Sequence, residues 1–206
     1  MLKMLAATTN KNKVREFQEI LEDLKDKVEI ITLDSIPNFP EIVEDGTTFE
    51  ENAMKKAKES SAFADMVAMA DDSGLVVEAL DGAPGIHSAR YAGEGATDAD
   101  RIAKLLKAME GVTDRRAKFV CAAAIAYRGE EVRIFVGEIK GTIALAPSGS
   151  NGFGYDPVFI PEGFEKSFAE LTDEEKNAIS HRGRAMRAVA GFLREEFNKM
   201  DDFEFV

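Results

Sequence analysis

The chain has 206 residues, of which 45% are hydrophobic, and a formal net charge of −12. This length and apolar content predict one folded domain spanning residues 1–206, built as two closely packed lobes, and exclude a largely disordered chain. The acidic charge disfavours binding along a nucleic-acid backbone, so a polyanionic ligand must be held locally by a few cations, backbone donors or a metal.

The apolar segments are too short for a membrane protein. No stretch approaches the roughly 18 uninterrupted apolar residues of a spanning helix, and residues 1–7 are too few for a signal peptide. We therefore expect no membrane association and a cytoplasmic location. The single cysteine, Cys121, lies inside an apolar run, which indicates a small core residue rather than a nucleophile.

The first half of the chain predicts strands alternating with helices. A buried strand at 3–7 runs into the polar loop 8–13, a helix with apolar residues at helical spacing follows, and a second strand occupies 28–32. Thr48 and Glu51 form a capping-box pattern that opens a helix ending near Ala64. A third strand is expected at 67–70, with residues 71–74 interrupting it before an apolar piece at 75–77.

The second half predicts a structured loop at 81–95, which contains four glycines, and a helix from Thr97 to about Met109. The runs 117–127 and 131–139, joined by Arg128-Gly129, predict a long hairpin. A glycine-rich loop at 147–155 precedes a short strand at 157–160. Thr172 and Ser180 then cap two helices, the second ending near Lys199. This order predicts an α/β fold with a mixed sheet flanked by helices.

The loop after the first strand is a candidate anion site. A strand that runs into a short polar loop and a helix aims backbone N–H groups and the positive end of the helix at one point, and Lys13 adds a cation. The loop consists of Thr8, Thr9, Asn10, Lys11, Asn12 and Lys13. It is not a P-loop, because it has no glycine, and an ordinary polar turn is the alternative.

Asp71 and Asp72 form a candidate acidic site. Carboxylates at the end of an apolar strand lie where open α/β sheets bind ligands, and two neighbouring side chains on a strand face opposite sides. Their oxygens suit Mg²⁺, which commonly binds through one or two carboxylates and substrate phosphates. Glu41 is a candidate second carboxylate. The alternative is a turn whose acidic residues cap its own amides.

Two late stretches are candidates for binding a purine base. Phe153 lies between glycines, which lets its ring serve as a stacking platform, although such loops are often simple turns with a core phenylalanine. His181 and Arg182 open the last helix, where positive charge is unfavourable. We interpret this misfit, with Lys176 nearby, as a sign of donors that read the O6 and N7 acceptors of an oxo-purine.

Taken together and in order, these stretches closely resemble the inosine triphosphate pyrophosphatase family, the Ham1-like nucleotide hydrolases, over about Leu5 to Phe192. The motifs that carry the resemblance are Thr8-x-Asn10-x-x-Lys13, Thr48-Phe49-x-Glu51-Asn52-Ala53, Ala70-Asp71-Asp72-Ser73-Gly74-Leu75, Gly82-Ala83-Pro84-Gly85, Phe153-Gly154-Tyr155-Asp156 and Ser180-His181-Arg182. The resemblance implies an elongated mixed sheet between two lobes with a central cleft, and a homodimer.

The resemblance also implies an activity: Mg²⁺-dependent hydrolysis of non-standard purine nucleoside triphosphates (ITP, dITP and XTP) to the monophosphate and pyrophosphate. Asp72 is then the proton acceptor and a magnesium ligand, Glu41 the second magnesium carboxylate, and residues 8–13 and Ser73 contact the substrate. The residues implied for the base pocket are Phe153, Gly154, Tyr155, Asp156, Lys176, His181 and Arg182.

Two functions of other classes remain open at this point. One is a regulator that binds a nucleotide in the same pocket without turnover. The other is a metal-dependent phosphatase with an aspartyl nucleophile, which the adjacent Asp71 and Asp72 suggest but which their spacing disfavours, because such enzymes use aspartate-x-aspartate.

Overall fold

The computed structural model describes residues 1–127 and 131–203, without the side chains of residue 131 and residues 200–203. In these ranges the chain forms one mixed sheet with the strand order β2-β1-β3-β4-β5-β6. Strands β1, β2 and β3 run parallel, whereas β3 to β6 pair antiparallel. The strands are β1 (Leu2–Ala6), β2 (Val28–Thr32), β3 (Val67–Val77), β4 (Arg116–Tyr127), β5 (Glu131–Ile143) and β6 (Phe159–Pro161). The predicted fold class, an α/β protein with a mixed sheet, is confirmed.

Helices cover both faces of this sheet. They are α1 (Lys11–Ile20), α2 (Phe49–Ala64), α3 (Asp98–Ala108), α4 (Asp173–Ile179) and α5 (His181–Phe203). Thr97 and Thr172 form complete capping boxes. Thr48 also caps α2, but the Glu51 carboxylate accepts from Thr47 instead of returning to Thr48, so that predicted box is only half formed.

Strand β4 shows how the two faces are packed. Its residues alternate, so Cys121 and Ala123 join the core beneath α1 and α5, whereas Ala122 and Ala124 lie beneath α2. The small side chains let α2 approach the sheet closely. A third cluster packs α3 and β6 against the far part of the sheet. Cys121 is therefore the core residue that the sequence predicts.

Strand β3 corrects the sequence prediction most clearly. Residues 71–74 do not interrupt it, because the ladder to β4 continues from Ala68 to Val77 without a break. The two aspartates thus lie in the middle of a strand and not at its end. The continuation is possible because the fully buried Asp71 has cationic partners, which offset the cost of burying a charge.

Smaller differences follow from local geometry. The last predicted strand begins at Phe159, because Asp156–Val158 forms a 3-10 turn. Helix α1 begins at Lys11, so the end of the predicted loop forms its first turn. The predicted turn at Arg128-Gly129 lies outside the described residues, and the division into two lobes remains a prediction. No helix among the described residues has the length and apolar character needed to cross a membrane.

Candidate active site

A cavity of about 320 Å³ brings together residues that are far apart in the sequence. Those from the sequence prediction are Thr8, Thr9, Asn10, Lys13, Asp72, Ser73, Phe153, Gly154, Tyr155, Asp156, Lys176, His181 and Arg182. Lys11 lies instead in a neighbouring groove, the Asn12 side chain is exposed, and Glu41 lines an adjoining cavity.

The loop before α1 satisfies part of its own backbone. Asn10 is the N-cap, and its side-chain oxygen accepts from the amides of Asn12 and Lys13 at 3.0 and 3.3 Å. These two amides are therefore satisfied within the loop itself. Lys13 does line the cavity, and its Nζ lies 2.9 Å from Asp71 Oδ2.

Asp71 and Asp72 face opposite sides of β3, as the sequence predicts. Asp71 is fully buried beside Lys13 and Arg182. Burial raises the pKa of Asp71, but the cations of Lys13, Arg182 and Lys56 outweigh it and hold the pKa well below its usual value. Asp71 is thus a fixed negative charge that orders the cations around it. Burial and the nearby carboxylate keep the pKa of the Cys121 thiol raised, which argues against a nucleophile.

Asp72 is held by two hydrogen bonds at the cavity wall. Its Oδ2 accepts from Asn52 Nδ2 at 2.9 Å, and its Oδ1 accepts from the Ser73 amide at 2.9 Å. Burial raises the pKa of Asp72, and the negative charge of Glu44 adds to the rise, while Asn52 and Lys56 oppose it. The result is an oriented carboxylate with a raised pKa.

Sequence reasoning missed Lys56 and Glu44, which lie beside Asp72 in the cavity. Lys56 Nζ is 2.5 Å from Glu44 Oε1 and donates to the Asp71 carbonyl oxygen. Helical spacing offered a signal for Lys56, because it follows Asn52 by four residues on α2 and must share its face. No comparable signal marks Glu44, which lies in irregular chain.

Buried ion pairs hold the cations at the other end of the cavity. Lys176 Nζ lies 2.9 Å from Asp156 Oδ2 and 3.1 Å from Glu16 Oε1. Arg182 pairs with Glu16 at 2.6 Å and donates to Ser73 Oγ at 2.8 Å. Sequence reasoning missed Glu16. The carboxylates of Glu16 and Asp71 compensate the charge of Arg182 at the start of α5. A positive charge at this helix start is therefore not by itself a sign of a ligand.

Phe153 projects from a loop that is pinned at consecutive amides. Its own amide donates to Asp156 Oδ2 at 2.8 Å, and the Gly154 amide donates to Asp98 Oδ2 at 2.7 Å. Lys176 Nζ lies 4.8 Å from the centre of the half-buried ring, within cation–π range. Gly152 has φ +73°, and a Cβ there would collide with Asp156, which explains the glycine.

His181 is a buried, neutral side chain in the cavity wall. Its ring stacks on Phe119 with centroids 4.6 Å apart and planes at 9°. Burial lowers the pKa of His181 well below 6.5, and Arg182 and Lys176 lower it further. Its Nδ1 is buried without a hydrogen-bond partner among the described residues. A neutral imidazole has one N–H and one acceptor nitrogen.

The fold and cavity define an α/β protein whose mixed sheet positions an oriented aspartate, paired cations and an aromatic ring around one cleft. Comparison with known proteins gives the family. The chain belongs to the Ham1 family, whose family model matches residues 4–192. The resemblance found in the sequence motifs is confirmed.

Solved structures and relatives agree with this assignment. A HAM1 protein from Coxiella burnetii is 43% identical with a TM-score of 0.88, covering 95% of this chain and 100% of that one. The Ham1 protein of Staphylococcus aureus is 41% identical with a TM-score of 0.84, covering 94% and 99%. A protein of Geobacter sulfurreducens named dITP/XTP pyrophosphatase is 48% identical, covering 94% of this chain and 97% of its own length.

Proposed function

We propose that this chain hydrolyses non-standard purine nucleoside triphosphates, namely dITP, ITP and XTP, to the monophosphate and pyrophosphate, and so removes them from the nucleotide pool. The observation that carries the proposal is the single cavity shared by Lys13, Asp72, Phe153 and Arg182. The relatives named dITP/XTP pyrophosphatase, which this chain matches over nearly its whole length, support it. A free nucleotide is a small substrate, so no nucleic acid or membrane partner is required.

The base would bind beside Phe153 and the buried cations. The half-buried ring offers a stacking face, and Lys176 lies over that ring. The Lys176 ammonium has three N–H donors, and Asp156 and Glu16 accept from it, which leaves a third for a base acceptor. Tyr155 donates its hydroxyl to the Ser88 carbonyl oxygen and so shapes the wall of the pocket.

Selectivity against adenine follows from these donors. Hypoxanthine and xanthine present an oxygen at position 6, whereas adenine presents an amino group. A buried N–H donor that faces an amino group loses its acceptor, at a cost of about 1–3 kcal/mol. We therefore place Lys176, His181 and Arg182 at the base edge.

The phosphates would bind where Thr8–Lys13 and Lys56 meet Asp72. The described residues contain no cluster of three or more His, Cys, Asp or Glu side chains placed to hold a metal alone. Asp72 and Glu44 line one cavity, and two carboxylates fit Mg²⁺, which takes its other ligands from water and phosphates. When bound, the ion would offset the charge of the phosphates. Glu44 suits this role better than the originally predicted Glu41, which lines the adjoining cavity.

The chemistry assigned to the chain is attack of water on the α-phosphorus with pyrophosphate as the leaving group. Asp72 would orient this water and accept its proton, because hydrogen bonds hold both of its carboxylate oxygens in place at the cavity wall. Lys13 and Lys56 place positive charge beside the reacting phosphates, which stabilises the charge developing in the transition state.

We also propose that the chain acts as a homodimer in the cytoplasm, where nucleotides are made and used. Ile134 and Val136 lie on one face of β5 and are 40% and 51% exposed, and exposed apolar neighbours of this kind favour a protein–protein contact. Light scattering should return the mass of two chains, and the mass of one chain would overturn this part of the proposal.

The activity is tested with a panel of dITP, ITP, XTP, GTP and ATP in the presence of Mg²⁺, assayed separately for pyrophosphate and for phosphate. We expect pyrophosphate from the first three substrates and little turnover of ATP. Binding without turnover would favour a nucleotide-binding regulator. Direct release of phosphate, with a trapped phosphoenzyme, would favour an aspartyl phosphatase.

A further inference from the structure

The first turn of α3 contacts the loop that carries Phe153. Asp98 is the first residue of this helix, and its Oδ2 accepts from the Gly154 amide at 2.7 Å. The two residues are 56 positions apart in the sequence, so this hydrogen bond joins the helix to a distant loop. The sequence motifs, the base contacts and the chemistry proposed above give no role to Asp98.

The other carboxylate oxygen of Asp98 is held by Arg101. The guanidinium of Arg101 pairs with Asp98 Oδ1. Its second terminal nitrogen donates to the carbonyl oxygens of Ala89 and Ala96, at 3.0 and 2.7 Å, and Arg101 also lines the cavity. Both oxygens of Asp98 therefore have a partner, which fixes the orientation of the carboxylate.

Gly154 is a point at which the loop has little other support. It has φ +64°, in the left-handed region that glycine tolerates, and a Cβ built there would meet nothing within 4 Å. Because glycine has wide backbone freedom, loss of the bond to Asp98 would let this residue reorient and move the neighbouring Phe153 ring. The Phe153 amide is bound separately, to Asp156 Oδ2 at 2.8 Å. Asp156 and Asp98 thus fix the two peptide groups that flank Phe153.

We propose that Asp98 is a positioning residue: oriented by Arg101, it holds the Phe153 ring where a purine base stacks, without touching the substrate itself. The inference rests on the proposed function, which places the base at Phe153. Small displacements of a group that positions a substrate are costly. Loss of Asp98 should therefore weaken binding of the base and leave the reaction at Asp72 unchanged.

Asp100→Ala is the matched control for this role. Asp100 lies in the same helical turn, and its carboxylate accepts from the amide and the hydroxyl of Thr97, which completes the capping box. A residue that only stabilises the start of α3, by capping or through the helix dipole, would behave like Asp100. Both alanine variants should lower the melting temperature, but only Asp98→Ala should weaken binding of the base.

Hydrolysis of ITP is measured in the wild type, Asp98→Ala, Asp98→Asn and Asp100→Ala. We expect Asp98→Ala to raise KM about tenfold with kcat nearly unchanged, the scale of one lost charge-assisted hydrogen bond. Asp98→Asn keeps an acceptor oxygen and should lie between the wild type and Asp98→Ala. The inhibition constant of IMP, which carries the base, should rise with KM, whereas that of magnesium pyrophosphate should not. Equal changes in Asp98→Ala and Asp100→Ala, or an equal rise for both inhibitors, would overturn the proposal.

Hydrogen exchange at the Gly154 amide reports on the loop itself and needs no turnover. This amide should exchange about tenfold faster in Asp98→Ala than in the wild type, and at the wild-type rate in Asp100→Ala. Unchanged exchange in Asp98→Ala, or faster exchange with an unchanged KM, would overturn the proposal. If the wild type releases no pyrophosphate from any nucleotide, the proposed function fails, and the exchange rates still show whether Asp98 holds the loop.

Discussion

Asp72 is the residue on which the proposed chemistry depends most. It combines a fixed orientation, from Asn52 and the Ser73 amide, with a raised pKa and access to the cavity. The neighbouring Asp71 has the opposite properties, because it is buried and paired with cations, and its pKa is lowered. The two acids of one short motif are thus separated in role by the alternation of the strand.

Asp72→Asn should reduce kcat for ITP at saturating Mg²⁺ by about 100-fold or more, the scale of a lost general base. Asp81→Asn is a suitable control, because Asp81 has φ +51° and asparagine tolerates that conformation well. The measurement is steady-state release of pyrophosphate by variants with matched thermal melting. Near-normal turnover by Asp72→Asn would show that another group does this work.

The metal assignment separates Glu44 from Glu41. Since Glu44 shares the cavity of Asp72 and Glu41 does not, Glu44→Gln should raise the Mg²⁺ concentration for half-maximal activity by about tenfold, because even groups behind metal ligands change affinity by about 10–100-fold. Glu41→Gln should change it much less. A titration of activity against Mg²⁺ distinguishes the two carboxylates. A larger effect of Glu41→Gln than of Glu44→Gln would identify Glu41 as the metal ligand.

His181 should make the stability of the protein sensitive to mild acid. The pKa of His181 in the folded state lies below 6.5. Below pH 6.5 the unfolded chain therefore binds a proton that the folded chain does not. The free energy of unfolding decreases as the pH falls through 6.5. Between pH 7.5 and 5.5 we expect the wild type to lose about 1 kcal/mol more than His181→Phe in urea unfolding. Equal losses in the two proteins would contradict a buried, neutral histidine.

At the scale of secondary-structure elements, β3 and the turn at residues 85–90 are fitted together at a glycine. A Cβ on Gly74 would collide with the Gly85 carbonyl oxygen and Ser88 Oγ, and Ser88 Oγ accepts from the Leu75 amide at 2.9 Å. Because Ser88 lines the cavity, this contact joins the packing of the strand to the shape of the site.

Gly74→Ala should therefore lower the free energy of unfolding by about 1–3 kcal/mol, as overpacking does, and raise KM for ITP. Gly191 on α5 provides the opposite case, since a Cβ there meets nothing within 4 Å. Gly191→Ala should stabilise the protein by about 0.5–1 kcal/mol, the helix preference of alanine over glycine. Urea unfolding of both variants measures the two changes in the free energy of unfolding. If Gly191→Ala destabilised the protein and Gly74→Ala did not, the packing described at these two glycines would be contradicted.

The elements themselves were largely readable from the sequence. Capping residues such as Thr97 and Thr172 marked helix starts, because their side chains satisfy free amides in any context. The path of β3 was not readable, because two adjacent aspartates resemble a turn unless their partners are known. Those partners, Lys13 and Arg182, lie far away in the sequence, and only the tertiary structure brings them to Asp71.

At the scale of the whole molecule, an acidic protein gathers several cations around one cavity. The net charge is −12, yet Lys13, Lys56, Lys176 and Arg182 all line one cavity. The sequence predicted three of these four, because they sit in recognisable motifs. It could not predict Glu16, since a glutamate on an amphipathic helix is normally solvent-exposed and only the ion pairs to Lys176 and Arg182 explain its burial.

The most direct test of the proposed reaction is hydrolysis of ITP in water enriched in oxygen-18, with mass spectrometry of the separated products. Attack at the α-phosphorus places one labelled oxygen in IMP and none in pyrophosphate, and we expect this pattern without direct release of phosphate. Label in pyrophosphate, or phosphate as the first product, would contradict the assignment of Asp72 to water beside the α-phosphorus.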